Sequence, residues 1–284
     1  MQGNEQRRRE AMKNLERELG RRDRAEKVKP LGVVVATLAI LVVLVGGIWF
    51  LTTMGGEKDD AKDGEDVTAS QTPTSAPQLT PLAMARAEKL PDTVTCKYPA
   101  GGGAAAKEVS APSADNVPAT GKVTVTLKTN QGDIPMELDR SLSPCGVNAI
   151  EHLAKEGYYN DTVCHRMTAG SLQVLQCGDP TGTGAGGPGF TFADEYPKDQ
   201  PNVPQETIYP EGSIAMANSG PDTNGSQFFL NYGPSQLQPN YSVLGTMTPE
   251  GLKVAKGIAG KGIDGGQTDG KPKEEVRIET ATVS

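Results

Sequence analysis

Gly212 to Tyr232 reads GSIAMANSGPDTNGSQFFLNY. Two apolar runs, Ser213 to Ala217 and Gln227 to Leu230, flank Asn218, Gly220, Pro221, Asp222, Asn224 and Gly225, residue types that accept tight or left-handed turns. The stretch therefore reads as strand, ordered polar loop, strand. Such a loop sets backbone and amide groups beside aromatic side chains, which suits an extended peptide better than a phosphate or a metal. On pattern alone the same residues also fit a buried hairpin with a plain turn.

Working outward, the preceding chain alternates in the strand period over Val123 to Lys128 and again over Ile134 to Leu138, with Asn130-Gln131-Gly132-Asp133 as the turn. Ser143-Pro144 opens a helix with Val147, Ile150, Leu153 and Ala154 at helical spacing up to Gly157. Short strand-like pieces follow near Val163 to Met167 and Leu172 to Gln176, then a glycine-rich loop from Gly178 to Gly189. Beyond the central stretch, Ser242 to Gly245 reads as a strand, Pro249 to Ile258 as a second helix and Glu275 to Val283 as a closing strand. Many short strands with two helices suggest a mainly β fold, an antiparallel barrel whose ends the helices cover.

The whole chain is 284 residues, 36% hydrophobic, with 34 Gly and 21 Pro, which reads as one folded domain with appendages. A net charge of -7 argues against a general nucleic-acid binder. Residues 1–30 are polar and basic, with Arg7, Arg8, Arg9, Arg21, Arg22, Arg24, Lys27 and Lys29, and residues 31–53 then run without a charge for long enough to cross a bilayer core. The run ends in Trp49-Phe50-Leu51 rather than a small-residue cleavage site, so an uncleaved single-pass anchor is expected in place of a signal peptide. Acidic residues after the run and basic ones before it orient the N-terminus to the cytoplasm and the rest outside the cell membrane. Residues 54–118, rich in Ser, Thr, Pro, Ala and Gly, are expected to form an extracytoplasmic flexible linker, with Leu82 to Tyr98 as an island able to dock on the domain at 119–284.

Gly182-x-Gly184-x-x-Gly187 matches the dinucleotide fingerprint in letters, but Pro188-Gly189 breaks the chain where a helix should start. Cys164-His165 are strand neighbours that point to opposite faces, a poor nucleophile and base pair, and two histidines in the chain make a metal site unattractive. No cofactor is expected. Cys96, Cys145, Cys164 and Cys177 form an even set in a compartment that permits disulfides; Cys164 with Cys177, on adjacent strands around one turn, is the first pair to choose, and Cys96 with Cys145 is what then remains. Four free thiols and the other pairings stay open at this point.

The central residues M-A-N-x-G-P-x-T-N-G-S-Q-F-F, from Met216 to Phe229, strongly resemble the signature of cyclophilin-type peptidyl-prolyl isomerases, and the resemblance runs from about Gly121 to Ser284. It implies a closed eight-stranded antiparallel barrel capped by two helices, here following a transmembrane helix and a disordered linker, in a membrane-anchored bacterial, actinobacterial-like form. It implies cis-trans isomerisation of X-Pro bonds in extracytoplasmic proteins, with Arg166 as the catalytic arginine and Gln176 as the glutamine supporting it. Phe229 corresponds to the floor of the proline pocket, Asn218 and Ala217 to the groove edge, and Leu237 to a pocket wall. The chain departs from the family pattern in a segment from Arg166 to Gln176 longer by about two residues, which makes Leu172 and Val174 stand-ins for a pocket phenylalanine and methionine, in Tyr241 for a usual histidine, and in Gln236 for a common tryptophan. Proline-containing polypeptides are the expected partners of a monomeric catalytic domain. A proline-peptide-binding chaperone module with little turnover is the alternative.

Overall fold

The computed structural model describes residues 79–284. The expected basic segment 1–30, transmembrane helix 31–53 and the linker up to residue 78 lie outside the described residues. No helix among the described residues is long and apolar enough to cross a membrane.

Two short strands, β1 (Thr93–Val94) and β2 (Val117–Pro118), form a ribbon of their own. The long hairpin β3 (Lys122–Thr129) and β4 (Gly132–Asp139) follows, and its alternation sends Val123, Val125, Leu127, Ile134, Met136 and Leu138 into the core. The helix Pro144–Lys155 packs Val147, Ile150 and Leu153 on that core. Its expected cap, Ser143, makes no side-chain capping bond; the free N–H groups of Cys145 and Gly146 donate instead to the carboxylate of Glu195, about fifty residues away, at 3.0 and 2.8 Å. Then come β5 (Thr162–Val163), β6 (Arg166–Thr168), β7 (Val174–Cys177), β8 (Thr207–Tyr209), β9 (Ser213–Met216), β10 (Phe228–Asn231), β11 (Ser235–Leu237) and β12 (Val243–Met247). A helix at Pro249–Gly260, capped by Thr248 through a bond from Gly251 N–H, precedes β13 (Asp269–Gly270) and β14 (Arg277–Val283).

Ten of these strands make one antiparallel sheet in the order β13-β6-β7-β10-β9-β12-β4-β3-β14-β5. The expected closed eight-stranded barrel is therefore corrected to a curled sheet whose hydrogen-bond ladder does not close. The reason lies at residues 162–168, where pairing changes partner within a few residues. β5 pairs with β14, β6 pairs with β7 and β13, and the two intervening residues, Cys164 and His165, join β5 to β6 through the chain rather than through a ladder. Close approach elsewhere in the sheet depends on glycine: a Cβ at Gly245, whose φ is +152°, would stand 2.1 Å from the Glu137 carbonyl oxygen, at the bulge where β12 meets β4 and β9.

Over its described part the expected flexible linker lies against the domain, at the Leu82 to Tyr98 island and beyond it. Residues 79–118 dock along the domain: Leu82 N–H donates to Ile208 O, Pro81 bridges Ile208, Ala100 bridges Phe190, and Cys96 is bridged to Cys145. The segment has few large apolar residues, but those it has are used, since Tyr98 packs edge-on against Phe190 and Phe192 and Leu82 and Met84 lie on a second apolar cluster. Both cysteine pairs chosen from the sequence are disulfides.

Candidate active site

The site grows out of strand alternation. Along β10, Phe228 and Leu230 point into the main core, while Phe229 points to the opposite face and joins the smaller cluster of Leu142, Val174, Tyr196, Tyr209, Ala215 and Val243. Along β7, Leu175 and Cys177 face the main core, whereas Val174 and Gln176 face the same side as Phe229. Gln176 is the ladder partner of both Phe229 on β10 and Arg166 on β6, so three residues distant in sequence stand in one row.

A cavity of ≈ 120 Å³ opens over this row. Phe229, 5% exposed, forms its base, and Tyr241 stands edge-on to that ring with centroids 5.5 Å apart. Leu172, Val174, Leu237 and Ala217 supply the remaining apolar wall, and Arg166, Gln176 and Asn218 supply the polar rim. The longer Arg166-to-Gln176 segment is accommodated by Thr168, whose hydroxyl donates to Leu172 O and accepts from Val174 N–H, folding the extra residues back so that both apolar side chains reach the cavity. Of the ten substrate and catalytic candidates read from the sequence, Gln236 alone stays off this cavity; it is exposed, donates to Glu206 at 2.9 Å and borders a neighbouring hollow with Leu237 and Tyr241.

The polar rim is connected. Arg166 Nη1 donates to Gln176 Oε1 at 3.2 Å, Gln176 Nε2 donates to Gln227 Oε1 at 2.9 Å, and Gln227 Nε2 donates to the carbonyls of Gly184 and Gly186. This chain of amides sets which end of Gln176 faces the guanidinium. Asp269 binds the other side of Arg166, with Nε to Oδ1 at 2.9 Å and Nη2 to Oδ2 at 2.8 Å. Hydrogen bonding to Asp269 holds the guanidinium above its ordinary pKa, and the same contact holds the Asp269 carboxyl below the usual carboxylate range. Gln227 sits inside the quoted signature without having been singled out. Asp269 lies 103 residues beyond Arg166, and no local pattern marks it.

The glycine-rich loop leads into no helix, so it lacks the helix N-terminus on which a dinucleotide's phosphates would sit. It is tied down by the Asp179 carboxylate, which accepts from the N–H groups of Thr181, Thr183 and Gly184. With Gln176, Ala217, Asn218 and Gly102 of the docked N-terminal segment it borders a second, larger hollow of ≈ 260 Å³. The chemistry-bearing side chain, Arg166, lines only the smaller one. Cys164 is bridged to Cys177 and offers no thiol to His165; burial lowers the pKa of that imidazole, and neither of its nitrogens has a partner among the described residues.

Comparison with known proteins gives three findings. The profile of the family described as cyclophilin type peptidyl-prolyl cis-trans isomerase/CLD matches residues 124–283, more than half of the chain. A probable peptidyl-prolyl cis-trans isomerase B of Mycobacterium leprae is 49% identical over 194 residues, and one of Mycobacterium tuberculosis is 47% identical over 190 residues; these matches cover 66% and 64% of this chain. They span 66% and 62% of those relatives, somewhat under two thirds of their lengths. A solved cyclophilin type peptidyl-prolyl cis-trans isomerase of Cryptosporidium parvum aligns with a TM-score of 0.48 at 30% identity, covering 58% of this chain and 98% of that one.

Proposed function

The chain belongs to the cyclophilin-type peptidyl-prolyl cis-trans isomerase family, and from that premise we propose that it accelerates rotation about X-Pro bonds of extracytoplasmic polypeptides, without a covalent step, from the cell-membrane surface. The observation that carries this reading is a guanidinium held at the rim of an apolar cavity of proline size, with Phe229 at its base.

The X-Pro bond resists rotation because nitrogen shares its lone pair with the carbonyl, a barrier of roughly 20 kcal/mol. In the twisted transition state the sharing is broken and the prolyl nitrogen carries a free lone pair. A donor fixed opposite that nitrogen bonds the transition state and not the planar ground state, which is the condition for catalysis. Arg166 is the donor in this reading. Phe229, Tyr241, Leu172, Val174 and Leu237 hold the pyrrolidine ring, and Gln176, Asn218 and Ala217 border the path of the peptide backbone.

Anchoring through residues 31–53 is part of the proposal; the uncharged run between basic and acidic flanks supports it. The two disulfides support an oxidising, extracytoplasmic setting. The test is isomerisation of an Ala-Pro peptide by the full chain, followed with a protease that cleaves only the trans form. Accelerated cleavage that tracks enzyme concentration is expected. Binding of the peptide without acceleration would replace the enzyme by a chaperone that holds proline segments.

A further inference from the structure

We propose that Asp269 is a positioning residue for the isomerisation, fixing the plane of the Arg166 guanidinium so that its outer N–H pair faces the cavity; the inference rests on the reading of Arg166 given above.

An arginine offers five N–H donors, one on Nε and two on each terminal nitrogen. Asp269 takes the Nε donor at 2.9 Å and one Nη2 donor at 2.8 Å, and Gln176 takes one Nη1 donor at 3.2 Å. What remains is one N–H on Nη1 and one on Nη2, on a residue that lines the cavity. Because the guanidinium is planar and rigid, a bidentate partner on one edge sets the direction of every other donor, which a single bond from Gln176 does not.

The backbone supplies this partner by construction. β13 pairs only with β6, Asp269 opposite Thr168 and Gly270 opposite Met167, and Ala169 N–H donates to Thr268 O. Arg166 is two residues from Thr168 and so on the same face, diagonal to Asp269 and within reach of a long side chain. Gly265 and Gly266, both at positive φ, turn the chain back toward β6 after the helix Pro249–Gly260. The pair is open to solvent, 40% exposed at Arg166 and 55% at Asp269, so its contribution to stability is small and its orienting effect is what distinguishes it.

A carboxylate also tempers the arginine's charge, an effect opposed to catalysis if net charge mattered most. The twisted prolyl nitrogen is neutral, however, and presents a lone pair rather than an anion. Direction of the donor therefore outweighs its charge.

The experiment is exchange spectroscopy by NMR on one X-Pro peptide with the full chain, comparing Asp269→Ala, Asp269→Asn, Arg166→Ala and the double variant Asp269→Ala with Arg166→Ala. Asp269→Ala is expected to slow exchange on the protein by roughly 5-fold, the size one exposed ion pair can account for, while peptide affinity stays within about 2-fold. Asp269→Asn, which keeps one acceptor, should fall between it and the parent. In the Arg166→Ala background the Asp269 substitution should change nothing further. Parent-like exchange in Asp269→Ala beside slow exchange in Arg166→Ala overturns the positioning role and leaves the arginine reading standing. An equal slowing from Asp269→Ala in both backgrounds also overturns it, as a general structural effect. Parent-like exchange in Arg166→Ala removes the arginine reading and this inference together.

Discussion

Arg166 and Phe229 line the same cavity, and under the proposed function they divide its work, so substitutions should separate them. Arg166→Ala should leave the fold intact because the side chain is 40% exposed, and should lower turnover by about 10²- to 10³-fold, the size expected for one preorganised donor. Peptide affinity should change far less, which titration calorimetry against the same peptide can check. Phe229→Ala should do the reverse: it removes the apolar base, weakens peptide binding, and costs about 3 kcal/mol or more of stability as a buried aromatic truncation. Glu195 gives a residue-scale signature of a different kind. Burial raises its pKa to about 7, against the opposing hydrogen bonds from Gly146 and Cys145 at the helix start. A carboxyl whose folded pKa is raised contributes stability in full below about pH 4.5, and that contribution is lost as pH rises through about 7. Thermal midpoints of the parent should therefore fall between pH 5 and 7 relative to those of Glu195→Gln; parallel curves would show that Glu195 stays ionised as a helix cap.

At the scale of elements, β6 and β7 carry Arg166 and Gln176 as direct ladder partners, and the disulfide between Cys164 and Cys177 closes the same hairpin just outside that pair. The other disulfide ties the segment before β2 to the start of the helix Pro144–Lys155. The loops closed span 13 and 49 residues, and the entropy of closure grows with loop length, so losing the first bridge should cost about 3 kcal/mol and losing the second about 4 kcal/mol. Denaturant unfolding of the two paired Cys→Ser variants checks the order. A larger loss from Cys164→Ser with Cys177→Ser would mean that the hairpin, rather than the chain entropy, dominates.

For the whole molecule, the docked segment 79–118 makes the folded unit larger than the family match at 124–283. A chain beginning at residue 119 leaves Cys145 without its partner and uncovers Phe190 and Phe192, which Tyr98 packs against. It should melt at least about 5 °C below a chain beginning at residue 79, as calorimetry would show. Topology is the other prediction at this scale. If residues 31–53 anchor the chain with its N-terminus inside, protease added to intact spheroplasts should digest residues 79–284 and spare a fragment containing the first 30; protection of the domain would overturn that orientation.

The local units are legible in the order of the amino acids: the β3–β4 hairpin from its alternation, both helices from spacing and proline starts, and the strand-loop-strand from Gly212 to Tyr232. The same order carries the resemblance to the cyclophilin family. That resemblance, carried residue by residue onto this chain, also marked nine of the residues around the cavity. Tertiary structure alone decided what depends on pairing across long separations. The pairing of β5 with β14 at the open end of the sheet, the capping of the helix Pro144–Lys155 by Glu195, the docking of residues 79–118 and the placement of Asp269 on Arg166 all join groups tens of residues apart. A period of two or 3.6 residues tells which face a side chain takes, and it carries no information about which distant strand will lie against that face.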